Sequence, residues 1–253
     1  MNAKRLLSKV LLFLLTASLL LAACAPAAPA TPAKDMSDPV TVVQTFYELF
    51  NANEIGKAME LTAEDYVMND PFGTYDRAAA VVQWQSVRDG GITFDQSNFV
   101  DTGNGRVTSC YDVLENGKSI DKGCGNVTHV RDGKIIFDGL EAAEQIWIVQ
   151  KYYDALNGKN LDLAMAYIAP DALFINPTGT YEGADAIRES LAGLNTDGIT
   201  FDLSNFRNTE GQIVYDYKVM QGSNLLDQGT NGLTVVKDGK VVFDGTEETF
   251  VAR

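Results

Sequence analysis

The chain has 253 residues and a formal charge of −14, with 34 acidic against 20 basic side chains and a single histidine. A body this acidic repels phosphate backbones, so nucleic acid is excluded as a natural partner. Three cysteines and one histidine leave no ligand cluster of the kind zinc needs, and no metal or other cofactor is expected.

Lys4, Arg5 and Lys9 make a basic start to residues 1–23, followed by an apolar run over residues 10–21 broken only by Thr16 and Ser18. The run is short for a mature membrane-spanning helix and reads as a secretory signal. It ends in Leu21-Ala22-Ala23-Cys24, which resembles the bacterial lipobox, where the cysteine becomes the first mature residue and carries acyl chains. An ordinary signal peptide with a cysteine near its cleavage site is the alternative. On the lipobox reading the protein is exported and lipid-anchored through Cys24 on the extracytoplasmic side of a bacterial membrane. Residues 24–37 are Ala/Pro-rich, too poor in bulky apolar side chains to bury a core, and suit an extended tether. Without residues 1–23 the chain keeps 17 basic and 34 acidic side chains, a charge of −17.

The rest of the chain is one pattern written twice, over residues 38–140 and 141–253. At an offset of 106, 14 of the 40 positions from 42 to 81 are identical in the second copy, Tyr47/Tyr153 and Asn51/Asn157 among them. Asn69-Asp70-Pro71-Phe72-Gly73-Thr74-Tyr75 returns as Ile175-Asn176-Pro177-Thr178-Gly179-Thr180-Tyr181. The offset becomes 107 at Gly91/Gly198 and is again 106 at Asp132/Asp238. A period this long marks a duplicated domain.

Each copy opens on an amphipathic helix. Asp38 and Pro39 suit the start of the first, and Val43, Phe46, Tyr47 and Phe50 recur at helical spacing, matched by Val149, Tyr152, Tyr153 and Leu156. Asn51 and Asn157-Gly158 end these helices. A short second helix follows, then the Pro-x-Gly-Thr-Tyr turn between two short strands. The third helix carries Val81, Trp84 and Val87 in copy one and Ile187, Leu191 and Leu194 in copy two. The second half of each copy alternates like a strand meander, with Ile92, Phe94, Gln96 and Asn98 on one face, Asn116-Gly117 as a hairpin turn and Asp132-Gly133 or Asp238-Gly239 as the last tight turn. The fold class is α+β: two tandem cone-shaped domains, each with three helices packed on a curved antiparallel sheet.

Element order, first helices ending in Asn, the Asp/Asn-Pro-x-Gly-Thr-Tyr turn and the terminal Asp-Gly-Lys hairpin resemble the nuclear transport factor 2-like superfamily, with its SnoaL-like cyclases and ketosteroid isomerases. The resemblance implies a cone with an apolar pocket in each copy and, because members pair as dimers, an internal pseudo-dimer of the two domains. It places the isomerases' general-base aspartate on Asp70. Burial would raise a carboxylate there towards neutral pH and suit it to proton transfer, whereas the plain reading of Asp-Pro is a turn opener bonded to backbone N–H groups. The family's oxyanion-hole tyrosine falls on Phe46 in copy one. Copy two has Tyr152 there but Asn176 in place of the base. No carboxyl group that could complete the hole stands in Gly125 to Val130 or Gly232 to Val236, so neither copy holds the full apparatus.

At offset 107, Thr108, Cys110 and Asp112 point where Tyr215, Tyr217 and Val219 point, which predicts an open, polar first cone and a second one filled by rings. A one-residue slip would reverse those faces. On this register the expected ligand site is the first cavity, lined by Tyr47, Tyr66, Asp70, Trp84, Asn98 and Asp112, with Tyr152 and Asn176 as the second-domain counterparts. Core packing is the competing reading of Tyr47 and Trp84. Cys110 and Cys124 flank the Asn116-Gly117 turn, where a bulge could bring them together as a disulfide; two free thiols are the alternative. His129 is expected to face solvent. Three functions fit this pattern: a lipoprotein binding a small apolar or amphipathic molecule in the first domain, an isomerase- or cyclase-type enzyme using Asp70, and a protein-interaction module at the cell surface.

Overall fold

Asp38 starts the folded body by accepting a hydrogen bond from the Thr41 backbone N–H at 3.0 Å, with Pro39 in the first turn, where a missing N–H goes unnoticed. These are details of a computed structural model that describes residues 34–252. The predicted signal segment, Cys24 and most of the Ala/Pro-rich stretch lie outside those residues. From Met36 onward the chain forms one unit.

Helix α1 (Pro39–Asn51) buries Val42, Val43, Phe46, Tyr47 and Phe50. Asn51 ends it and grips the sheet, donating to the Phe94 carbonyl at 2.7 Å and accepting from the Phe94 N–H at 3.0 Å. Helix α2 (Ile55–Glu60), strands β1 (Thr62–Asp70) and β2 (Gly73–Asp76) and helix α3 (Arg77–Asp89) follow, then β3 (Ile92–Asp101), β4 (Arg106–Glu115), β5 (Lys118–Arg131) and β6 (Lys134–Leu140). The second domain repeats the order as α4 (Glu141–Asn157), α5 (Leu161–Ala166), β7 (Ile168–Asn176), β8 (Gly179–Glu182), α6 (Ala184–Thr196), β9 (Ile199–Thr209), β10 (Gln212–Gln221), β11 (Asn224–Lys237) and β12 (Lys240–Thr246), closed by α7 (Glu247–Val251). Asn157 grips the Phe201 backbone as Asn51 grips Phe94, at 2.7 and 2.8 Å. The recurring asparagine is therefore a clamp between first helix and sheet as well as a helix stop.

Each domain has one six-stranded sheet, in the orders β2-β1-β6-β5-β4-β3 and β8-β7-β12-β11-β10-β9. All pairings are antiparallel except β1 with β6 and β7 with β12, which run parallel because α3 and α6 carry the chain from one sheet edge to the other and the meander then brings its last strand back beside the first. The third helices bury Ala80 and Trp84, and Ile187 and Leu191. Of the predicted stripe Trp84 is buried and Val87 packs against the core, but Val81 is 38% exposed and Ala80 takes its place.

Ala80, not Val81, is the counterpart of Ile187, because the offset between the copies is already 107 in the third helices. The extra residue of copy two is Gly183, between β8 and α6, with φ +82, where a left-handed backbone favours glycine. It is compensated in the hairpin that follows the next strand: four residues separate β3 from β4, but two separate β9 from β10, and β9 is one residue longer than β3. From β4 onward the offset is 106 again, as Arg106 pairs with His129 and Gln212 with Val235. The faces predicted for this strand are thus reversed. Ser109, Tyr111 and Val113 are the counterparts of Tyr215, Tyr217 and Val219, and Thr108, Cys110 and Asp112 turn to the opposite face.

Cys110 pairs directly with Cys124 across β4 and β5, and the two form a disulfide. A register shift between Val113 and Leu114 moves Cys124, rather than Gly123, opposite Cys110.

His129 does not face solvent. Its ring lies 4.9 Å from that of Trp147, and Nε2 meets Glu144 Oε1 at 2.5 Å. Glu144, fully buried on the helix that opens the second domain, also takes two bonds from Arg106 of the first domain, at 2.6 and 2.8 Å. Burial pushes its carboxyl up, but the Arg106 and His129 contacts outweigh that and hold it below the usual carboxylate range. This ionic knot ties the two domains together.

Candidate functional site

The second cone encloses a cavity of about 580 Å³. Tyr152 and Tyr153 reach it from α4, Leu191 and Leu194 from α6, Phe201 and Leu203 from β9, and Tyr215, Tyr217 and Val219 from β10. The alternation of β9 and β10 turns apolar side chains to the concave face, and the amphipathic α4 and α6 close over them. Thr178, Asp197 and Asp227 are exposed lining residues and mark its mouth.

The polar end is built around Asp244 of β12. Its carboxylate accepts from Tyr153 Oη at 3.0 Å, Tyr215 Oη at 3.2 Å and Thr234 Oγ1 at 2.7 Å. The Tyr152 hydroxyl lies nearby and also favours the charged carboxylate. Burial in this apolar surround pushes the Asp244 carboxyl up to about 6, against the pull of the four hydroxyls. It nevertheless keeps partial exposure, and that surface opens onto the cavity.

In the first domain the same place is packed. Trp84 stands where Leu191 stands, its ring 4.9 Å from Phe50, 5.8 Å from Phe46 and 5.9 Å from Phe94. Phe46 and Phe94 are the counterparts of the cavity-wall residues Tyr152 and Phe201. Asp138, the counterpart of Asp244, is 3% exposed and bonded to Tyr47 Oη at 2.8 Å, Thr128 Oγ1 at 2.8 Å and Asn126 Nδ2 at 3.3 Å. Its pKa is also raised by burial, but it is sealed in the core.

The structure divides the predicted site residues. Tyr152 and Asn176 line the second-domain cavity. Tyr47, Tyr66 and Trp84 are first-domain core residues, with Trp84 Nε1 donating to Tyr66 Oη at 3.4 Å. Asp70 caps its own turn, Oδ1 accepting from the N–H of Phe72 at 2.8 Å and of Gly73 at 3.0 Å, while Oδ2 takes Gln83 at 2.7 Å. That is the turn-opener reading. Asn98 is exposed in a bulge with φ 53, which removes it from the face of Phe94. Asp112 is bonded to Ser119 on the face opposite Tyr111. The expected first-domain ligand site is therefore not assembled; the cavity lies in the second domain.

Sequence reasoning missed Asp138 and Asp244 because it sought a carboxyl group on β5 and β11, whereas both stand one strand later. The available signal was the repeated Phe137-Asp138-Gly139 and Phe243-Asp244-Gly245, a carboxylate in an otherwise apolar strand.

Residues 43–137 and 149–246 each match the family model described as SnoaL-like domain. No curated protein sequence matches the chain. Among solved structures, it is similar to an NTF2-like protein of unknown function from Cytophaga hutchinsonii (14% identity, 43% of this chain and 95% of that one, TM-score 0.35). It is also similar to an uncharacterized cystatin fold protein from Novosphingobium aromaticivorans (16%, 40% and 94%, 0.35) and an LEH-like epoxide hydrolase of M. tuberculosis (17%, 41% and 81%, 0.35).

Proposed function

We propose a ligand-binding role from a settled premise: the chain belongs to the SnoaL-like domain family twice over, through residues 43–137 and 149–246. In this reading the second domain holds one small, mostly apolar molecule and the first serves as its closed structural partner. The single observation that carries it is the cavity of about 580 Å³, apolar along its walls and polar where Asp244 sits. Sites for small molecules have this form, with a few placed polar groups in a hydrophobic enclosure. Proton transfer by Asp244 is a second reading, favoured by a carboxyl group held near 6 inside that cavity. Export and anchoring through Cys24 belong to the proposal as well, supported by the Leu21-Ala22-Ala23-Cys24 motif.

The test is a fluorescence titration with N-phenylnaphthylamine, an apolar probe uncharged at neutral pH. Saturable binding by the wild type, lost in Leu191→Trp with unchanged circular dichroism, is the expected result. Equal binding by the filled variant would place the probe elsewhere and defeat the proposal. For the anchor, Cys24→Ala should release the protein from the membrane fraction; a variant that stays bound argues against lipidation.

A further inference from the structure

The chemistry of the cavity narrows what it can hold. Three carboxylates line it, Asp244 at the polar end and Asp197 and Asp227 at the mouth, and no Lys, Arg or His is among the lining residues. A ligand carboxylate or phosphate would meet like charge at both ends with no cation to offset it.

The hydrogen-bonding inventory points the same way. Asp244 is faced by Tyr152 and Tyr153 from α4, Tyr215 from β10 and Thr234 from β11, and the hydroxyls of Tyr153, Tyr215 and Thr234 are bonded to its carboxylate. An ionised carboxylate has about four acceptor positions, while a tyrosine hydroxyl that has donated has no proton left to give. Three donors leave about one acceptor position on the carboxylate for a ligand N–H or O–H, and Tyr152 Oη is the hydroxyl there that is not spent on Asp244.

Aromatic rings surround this end: Tyr153 lies 6.0 Å from Tyr215, 5.1 Å from Phe201 and 4.7 Å from Tyr152. Beside a desolvated carboxylate an ammonium group is favoured over a hydroxyl, because it adds an ion pair to the hydrogen bond.

We infer that the second-domain cavity selects a ligand carrying one amine on an otherwise apolar body and rejects a carboxylate of the same shape. The inference rests on the ligand-binding reading above and specifies its chemistry.

Calorimetry on the full chain with phenylbutylamine, phenylbutanol and phenylbutanoate tests it, since the three share one body and differ in the terminal group. Near neutral pH the amine is expected to bind tighter than the alcohol by about tenfold or more, with the carboxylate weakest. The amine stays charged, so its lead should shrink as pH falls through about 6, where Asp244 takes up a proton, while alcohol binding changes little. Asp244→Asn should abolish the lead. Asp227→Asn, an exposed change at the mouth that spares the core, should reduce it by a smaller factor. Should the carboxylate equal the amine, or the amine hold no lead over the alcohol, the inference is overturned while the cavity stands as a ligand site. Should N-phenylnaphthylamine bind and none of the three do so, the inference is again overturned. Should neither the probe nor any of the three bind, both readings fall together.

Discussion

The two domains share a backbone and differ in what fills it. In the first, Trp84 packs against Phe46, Phe50 and Phe94 and the buried carboxylate Asp138 is sealed under Tyr47. In the second, Leu191 replaces the indole, about 580 Å³ stays open and Asp244 reaches the cavity surface. The residues kept in both copies are the ones that hold the fold: the Asn51 and Asn157 clamps, the Asp-Gly turns and the aspartate of the last strand. Among the residues turned into the cone, Phe46, Trp84 and Ser109 diverge to Tyr152, Leu191 and Tyr215, while Tyr47/Tyr153 and Phe94/Phe201 are kept. Duplication of this kind lets one copy supply rigidity while its twin keeps a cavity, with no change of architecture.

The largest expected effect breaks the tie between the two domains. Glu144→Ala leaves the buried Arg106 without its two close hydrogen bonds and with only the more distant Glu141, at 3.9 Å, and destabilisation of about 3–5 kcal/mol is expected in urea denaturation. Next comes Trp84→Leu, which gives the first cone the side chain of the second. It should cost roughly 2–4 kcal/mol in the same assay, because a well-packed core collapses only partly around lost volume. A variant as stable as wild type would mean the first cone is not tightly filled.

A smaller effect isolates Asp244 by pH. Asp244 binds its proton more tightly folded than unfolded. The stability tied to that proton is present below the unfolded value near 3.8 and is lost as pH rises through about 6. Relative to Asp244→Asn, the wild type should therefore lose on the order of 1–3 kcal/mol between acidic and neutral pH, read from urea midpoints. Parallel profiles for the two proteins would show that Asp244 titrates as an ordinary surface carboxylate. The smallest change is Leu191→Trp, which fills open space and should shift stability by about 1 kcal/mol or less while removing the binding site.

Much of this architecture was legible in the sequence. The helical spacing of Val43, Phe46, Tyr47 and Phe50, the Asp-Gly turns and the repeat itself lead to tandem α+β cones. The location of the site was not legible, for a physical reason. Which side chains of β4 and β10 enter each cone is hostage to a single residue, because the side-chain period is two, and the first cone is closed by Trp84 of α3 rather than by that strand. Gly183 adds the residue and the β3–β4 hairpin cancels it before Arg106, a place no motif marks. Asp112 and Asn98 were misplaced by that slip and by the bulge at Asn98. His129 was misplaced because its partners, Arg106 and Glu144, lie 23 and 15 positions away and meet it only where the domains join.

The central claim, that the second cone is the ligand site and the first is closed, is tested most directly by counting bound N-phenylnaphthylamine molecules per chain in native mass spectra of wild type, Leu191→Trp and Trp84→Leu. One, none and two are expected. Two in the wild type, or a site lost in Trp84→Leu but kept in Leu191→Trp, would contradict it.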